Sequence, residues 1–159
     1  MRSRYWYVLG VLLVAGLLLY AYRTTLPQTV LPQVSPEGAL FGGVSLSLEF
    51  ATTSAARERG LSGRTDLPAT SAMLFAFPRD DRYGFWMKGM LIPLDIFWLD
   101  AQGRVVHVAA EVSPASYPHV FYPPVPARYV LETMAGFART HAVATGTQLT
   151  LQKFPTVTQ

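Results

Sequence analysis

The sequence predicts a mainly β domain, a compact antiparallel β-sandwich or barrel with one or two short helices, preceded by a single transmembrane helix. Three observations predict it. After residue 43, six or seven short segments alternate apolar and polar residues or run wholly apolar, parted by Gly, Pro or polar clusters. Among 159 residues, 50% are hydrophobic and 13% aromatic, enough to bury one real core. Near the N-terminus lies an uncharged run with no polar face.

That run, residues 5–22, is rich in Leu and Val and bounded by Tyr5, Trp6, Tyr7, Tyr20 and Tyr22, which suit membrane interfaces. Arg2 and Arg4 precede it and only Arg23 follows closely, so the positive-inside bias puts the N-terminus in the cytoplasm. The remainder is then extracytoplasmic, periplasmic or at the cell surface. A cleaved signal peptide is the competing reading, but Ala21 between Tyr20 and Tyr22 makes no small-x-small cleavage site. Residues 1–23 therefore read as a signal anchor in the plasma (inner) membrane. Residues 24–43 hold Pro27, Pro32, Pro36, Gly38, Gly42 and Gly43 without helical or strand period, and read as a tether.

The β-domain is expected over residues 44–154, with 155–159 as a tail. Residues 44–50 alternate as a strand with one face in a core. Thr53 or Ser54 can N-cap a helix running to Arg59, where Gly60 stops it and Leu61 drops inward. Residues 72–77 are a wholly apolar strand closed by Pro78 and a polar turn; residues 85–90 should return, and 94–99 follow after Pro93. Gly103 ends a turn into residues 104–108, and consecutive strands would make an antiparallel meander. Residues 113–126 contain five prolines in fourteen positions with Tyr117, Phe121 and Tyr122, a long loop of the kind that forms binding edges. Residues 129–132 resume a strand, Gly136 breaks it, 137–141 form a helical turn, and 148–154 alternate once more.

Composition excludes several function classes. With no cysteine there is no thiol chemistry, disulfide, Cys-based zinc site or lipobox lipidation. The net charge is +3, but from Val44 onward ten Lys and Arg face nine Asp and Glu, a balance of +1 that leaves no footprint for a nucleic-acid backbone. His107, His119 and His141 lack ligand spacing, so no metal is expected. Neither a Gly-rich phosphate loop nor a Gly-x-Ser-x-Gly elbow occurs, so no cofactor is expected either.

The candidate chemistry centres on residues 85–95, where Lys88 and Asp95 interrupt an apolar run. An unpaired buried charge costs several kcal/mol, roughly, so these two are expected to be paired, at a cleft rim, or functional. Glu132 can add a second carboxylate opposite Asp95, and two carboxylates at a suitable separation hydrolyse glycosidic bonds. The bland alternatives make Asp95, just after Pro93, a structural ion pair or a turn cap that faces backbone donors or Lys88, and neutralise Glu132 with Lys88 or Arg64. Trp86 and Trp98 either pack the core or offer flat faces to a ligand. Arg57, Glu58 and Arg59 read as a solvated helix face.

An ordered set of motifs covers residues 52–151: Arg57-Glu58-Arg59-Gly60-Leu61, Arg64, Leu67-Pro68, Met73-Leu74-Phe75-Ala76-Phe77, Phe85-Trp86-Met87-Lys88, Ile92-Pro93-Leu94-Asp95-Ile96, Asp100 with Gly103-Arg104-Val105-Val106, and Val130-Leu131-Glu132 with Ala135-Gly136. Together these resemble the DUF192 (UPF0127) family. Departures are Ser62 where the family usually has Met, Ala72 for Gly, and Gly89-Met90 for Asn-Thr beside Lys88. The resemblance implies a small β-rich fold, often exported or membrane-tethered, with no assigned activity. The expected function is a non-catalytic binding or accessory module of the cell envelope, held to the bilayer by residues 5–22. Its polar site would combine Trp86, Lys88, Asp95, Glu132 and Arg64, and its partner would be an envelope glycan, peptide or protein. The rivals are a hydrolase of envelope polymers with Asp95 and Glu132 as acid and base, and a protein-interaction domain using residues 113–126.

Overall fold

The computed structural model describes residues 33–34 and 38–157, all within the second of two units, Pro32–Gln159. The expected anchor and most of the expected tether lie outside the described residues. Among the described residues, no helix is long and apolar enough to cross a membrane.

The domain starts before residue 44. After β1 (Gln33–Val34), β2 (Ala39–Phe41) buries Ala39 and Phe41 around exposed Leu40 and pairs antiparallel with β3 (Val44–Ala51). Gly42 and Gly43, with φ of +56° and +78°, form the two-residue turn between Phe41 and Val44. Both positions favour residues without a Cβ, which is why a Gly-Gly pair expected in a tether is a hairpin turn instead.

Thr53 caps α1 (Ser54–Arg59) by accepting from the Ala56 N–H at 3.1 Å, and Gly60 ends the helix at φ +49°. The crossover returns the chain to β4 (Ser71–Asp81), parallel to β3. Pro78 sits in β4 where the pairing is irregular between Ala76 and Asp81, so no ladder N–H is missed. There follow β5 (Phe85–Trp86), β6 (Leu94–Leu99), β7 (Val105–Val112), a 3-10 turn (Pro114–Ser116), β8 (Val120–Phe121), β9 (Ala127–Met134) and α2 (Phe137–Thr140).

The main sheet runs β1-β3-β4-β9-β6-β7, a curled half-barrel rather than a closed barrel or two stacked sheets. The expected meander is corrected at β9, which lies between β4 and β6, and at β5, which leaves the sheet to pair with β8. Strand composition explains this. All of β6 and most of β9 are buried, so they take the centre, where both sheet faces are covered. One face packs Leu48, Leu74, Phe97 and Leu131 with Phe41, Phe137 and Leu149; the other packs Met73, Phe75, Ile96, Trp98 and Val130 with Leu61, Met87 and Ile92.

The expected last strand reduces to two isolated bridges, Leu40 to Thr150 and Arg104 to Gln148. Thr150 exchanges hydrogen bonds with Leu40, while Thr147 and Leu149 bond Val105 and Gly103. This stretch divides its backbone between two partners and so forms no continuous ladder.

Candidate functional site

Glu132 occupies the middle of β9, opposite Met73 of β4 on one side and Ile96 of β6 on the other. Both neighbours are apolar and buried, and no hydrogen bond or ion pair from the described residues reaches its carboxyl. Burial alone pushes its pKa up from 4.5 to about 8, which keeps it protonated at neutral pH.

The carboxyl lines a cavity of about 250 Å³. The wall opposite is α1 with the turn through Ser62; Phe75 and Phe77 come from β4, Gly84, Phe85 and Trp86 from β5 and its approach, and Lys88 and Met90 from the loop before β6. Phe85 meets Phe75 edge-on at 5.0 Å and Phe77 at 6.4 Å, so the aromatic wall is a mutually braced set. The loop is pinned to the α1 turn by Ser62 Oγ donating to Lys88 O at 3.0 Å and by Gly63 N–H donating to Gly89 O at 2.8 Å. Gly89 has φ +68°, and Met90 turns into the cavity wall. An Asn-Thr pair here would place two polar side chains where this chain has none and a thioether.

Three cations stand around this cavity. Arg57 is committed, donating to Thr52 O, Ala76 O and Ser54 Oγ at 2.8, 3.0 and 3.1 Å while its guanidinium lies 5.3 Å from the Phe77 ring centre. Lys88 is exposed, its ammonium 5.7 Å from the ring centre of half-exposed Trp86. Arg59 also lines the wall.

Asp95 goes elsewhere. It pairs with Thr133 across the β6–β9 ladder, so it shares the face opposite to that of Ile96 and Glu132. Wholly buried, it accepts from the Glu111 N–H at 2.6 Å and the Ala138 N–H at 2.7 Å. The first donor lies where β7 departs from regular register with Glu111 at φ +53°, and the second lies in the first turn of α2, whose N-cap Gly136 has no side chain to supply. Asp95 is thus a cap provided by a neighbouring strand. Of the alternatives open for Asp95, the structure has backbone donors and a cap in place of Lys88, and the Asp95–Glu132 acid/base pair is corrected, because alternation in β6 and β9 puts the two carboxylates on opposite faces. Arg64 is also absent from the cavity: it holds Glu49 in a two-bond ion pair at 2.6 and 2.5 Å, which raises its pKa.

Of the residues the sequence singled out, Trp86, Lys88 and Glu132 converge on this cavity, and Asp95 and Arg64 do not. Trp98 is core, its indole N–H donating to Tyr83 O at 2.8 Å. Sequence reasoning missed Phe75, Phe77, Met90 and the turn 60–62, and took the α1 cations for a solvated face. The available signal was Gly60 stopping a short helix beside an apolar strand. Among the described residues no group of three or more His, Asp or Glu side chains could hold a metal ion.

The family profile of DUF192, described as an uncharacterized ACR, matches residues 39–151. The chain belongs to the DUF192 family. No curated protein matches it. Two solved structures are similar. A protein of unknown function from Novosphingobium aromaticivorans DSM 12444 has 28% identity and a TM-score of 0.69, covering 78% of this chain and 95% of that one. A protein from Sinorhizobium meliloti 1021, described as a candidate transcription regulator, has 29% identity and a TM-score of 0.64, covering 67% of this chain and 81% of that one. The DUF192 match begins at Ala39, the first residue of β2, and ends just beyond the Gln148 and Thr150 bridges.

Proposed function

We propose that this DUF192 domain is a non-catalytic binding module of the cell envelope, tethered by residues 5–22 to the plasma membrane, which takes a small ligand or the end of an envelope glycan or peptide into the Glu132 cavity. The observation that carries it is the Glu132 carboxyl, buried, unpartnered and turned into an aromatic-walled cavity. A buried polar group without a partner is destabilising, and a ligand that bonds it removes that penalty. Glycosidic hydrolysis calls for a second carboxylate across the scissile bond, and the cavity's other acid, Glu58, is exposed on α1. The regulator description of the Sinorhizobium protein is not adopted, since a domain balance of +1 offers little to a phosphate backbone.

The test is tryptophan fluorescence of the full chain in detergent, titrated with wall-derived glycan and peptide fragments and assayed in parallel for cleaved products. Saturable quenching that disappears in Trp86→Phe, with every fragment recovered intact, is expected. Turnover of a fragment would sink the non-catalytic reading, and absence of any saturable signal would sink the binding reading.

A second reading is favoured by one observation. Tyr117, Tyr122 and Val125 in residues 113–126 are 46%, 54% and 45% exposed, and Tyr117 packs edge-on to Trp86 at 6.4 Å. That apolar rim would suit a protein partner.

A further inference from the structure

Resting on the binding reading, the charge and polarity of the cavity walls narrow the ligand. Leaving Arg59 aside, the lining residues Arg57 and Lys88 outnumber Glu58, the acid that accompanies Glu132. The three hydrogen bonds of Arg57 end on neutral acceptors, so its charge is not cancelled. Lys88 makes no ion pair among the described residues. Potential at the mouth is therefore positive, which attracts anions and disfavours an amine. The rest of the lining is largely aromatic, with the Arg57 guanidinium over Phe77, and it includes the Glu132 carboxyl, a neutral O–H donor and C=O acceptor at pH 7. An anionic group at Glu132 would lose its hydration with no cation in contact with that carboxyl to replace it, so the charge belongs beside exposed Lys88 and a neutral group must meet Glu132.

We infer that the cavity takes an acylated amino acid end: a carboxylate beside Lys88, an apolar side chain against the Phe75, Phe77 and Phe85 wall, and an amide bonded reciprocally to Glu132. A carboxylic acid and an amide fit each other through one O–H···O=C and one N–H···O=C bond, satisfying a group that otherwise has no partner. The same chemistry arises from a free N-acyl amino acid and from the C-terminus of a peptide.

The experiment is titration of the full chain in detergent at pH 7 with N-acetyl-phenylalanine, its C-terminal amide, 3-phenylpropionate and a tripeptide ending in phenylalanine. N-acetyl-phenylalanine is expected to bind about threefold to fivefold tighter than its amide, the scale of one exposed charge pair, and Lys88→Gln should abolish that difference. It should bind about tenfold tighter than 3-phenylpropionate, the scale of one hydrogen bond to a buried group. Glu132→Leu should erase this second preference, and Glu132→Gln, which keeps donor and acceptor, should retain it. Tighter binding of the tripeptide than of the free acid identifies a peptide end as the source, and the reverse identifies a small metabolite. Equal binding of acid and amide, or preferences untouched by the Lys88 and Glu132 changes, overturns the inference. If glycan fragments still quench Trp86 in that case, the binding reading survives it; if no compound saturates, both fall.

Discussion

At the residue scale, Glu132 and Asp95 illustrate how one ladder step separates two fates. Glu132 faces a cavity and keeps its proton, because charging it there would mean an ion with no partner. Its folded pKa of about 8 lies above the ordinary 4.5, so the sign of its linkage is set. Below 4.5 both folded and unfolded chains hold the proton and it contributes no penalty. Between 4.5 and 8 the unfolded chain has released it and the folded one has not, so stability falls as pH rises, levelling off above 8. Glu132→Gln should therefore raise stability by on the order of 3 kcal/mol at pH 7 and by almost nothing at pH 4. Melting curves of both proteins across that range check this; parallel curves would refute it. Asp95 is the opposite case. Asp95→Asn turns an N–H toward a backbone donor and leaves either Glu111 or Ala138 unsatisfied, which predicts a loss of about 2 kcal/mol, or roughly 8 °C in melting temperature. Chemical denaturation of the variant would show it as a lower midpoint at unchanged slope.

At the element scale, the stretch from Thr147 to Thr150 holds β2 on one side and the entry to β7 on the other through a few backbone bonds. Gly103 accepts one of those bonds, from the Leu149 N–H at 2.9 Å. A Cβ there would lie 2.3 Å from Phe154 Cζ and 3.0 Å from Leu149 O, at φ +81°, and the carbonyl belongs to backbone that cannot swing away. Gly103→Ala should cost about 2 kcal/mol and act locally. Hydrogen exchange should quicken at the Leu149 and Thr150 amides while the β9 amides stay protected; uniform loss of protection would mean that this stretch unfolds only with the whole domain. By contrast α1 is secured by local chemistry, the Thr53 cap, and by Arg57 reaching the β4 backbone.

At the scale of the whole molecule, residues 39–151 form one family domain whose half-barrel sheet is covered on both faces. The charge-free run 5–22 is the ground on which we propose that this domain is attached to a bilayer. The full chain is expected to sediment with membranes and resist alkaline extraction, while a chain beginning at Gly38 stays in the supernatant. Protease added to spheroplasts should remove the domain and leave the N-terminus shielded. A full chain found in the soluble fraction would end the tethered reading and leave the cavity proposal standing.

What the sequence by itself determined was local. Strand β3 follows from alternation, the ends of α1 from Thr53 and Gly60, the buried run of β4 from its apolar residues, and the break at Gly136 from its left-handed φ of +88°. Each depends on neighbours a few positions apart, which short-range sterics and periodicity record. The Phe85–Trp86 and Lys88 motif was legible as a site candidate, and so was Glu132. Tertiary structure alone decided that β9 enters between β4 and β6, and in which register. That register pairs Asp95 with Thr133, sends Glu132 to the other face, and brings it under α1 and the aromatic wall. Strand pairing between distant segments is chosen by burial of whole faces, and a shift of one residue exchanges those faces, so no local pattern around either carboxylate could have announced its side.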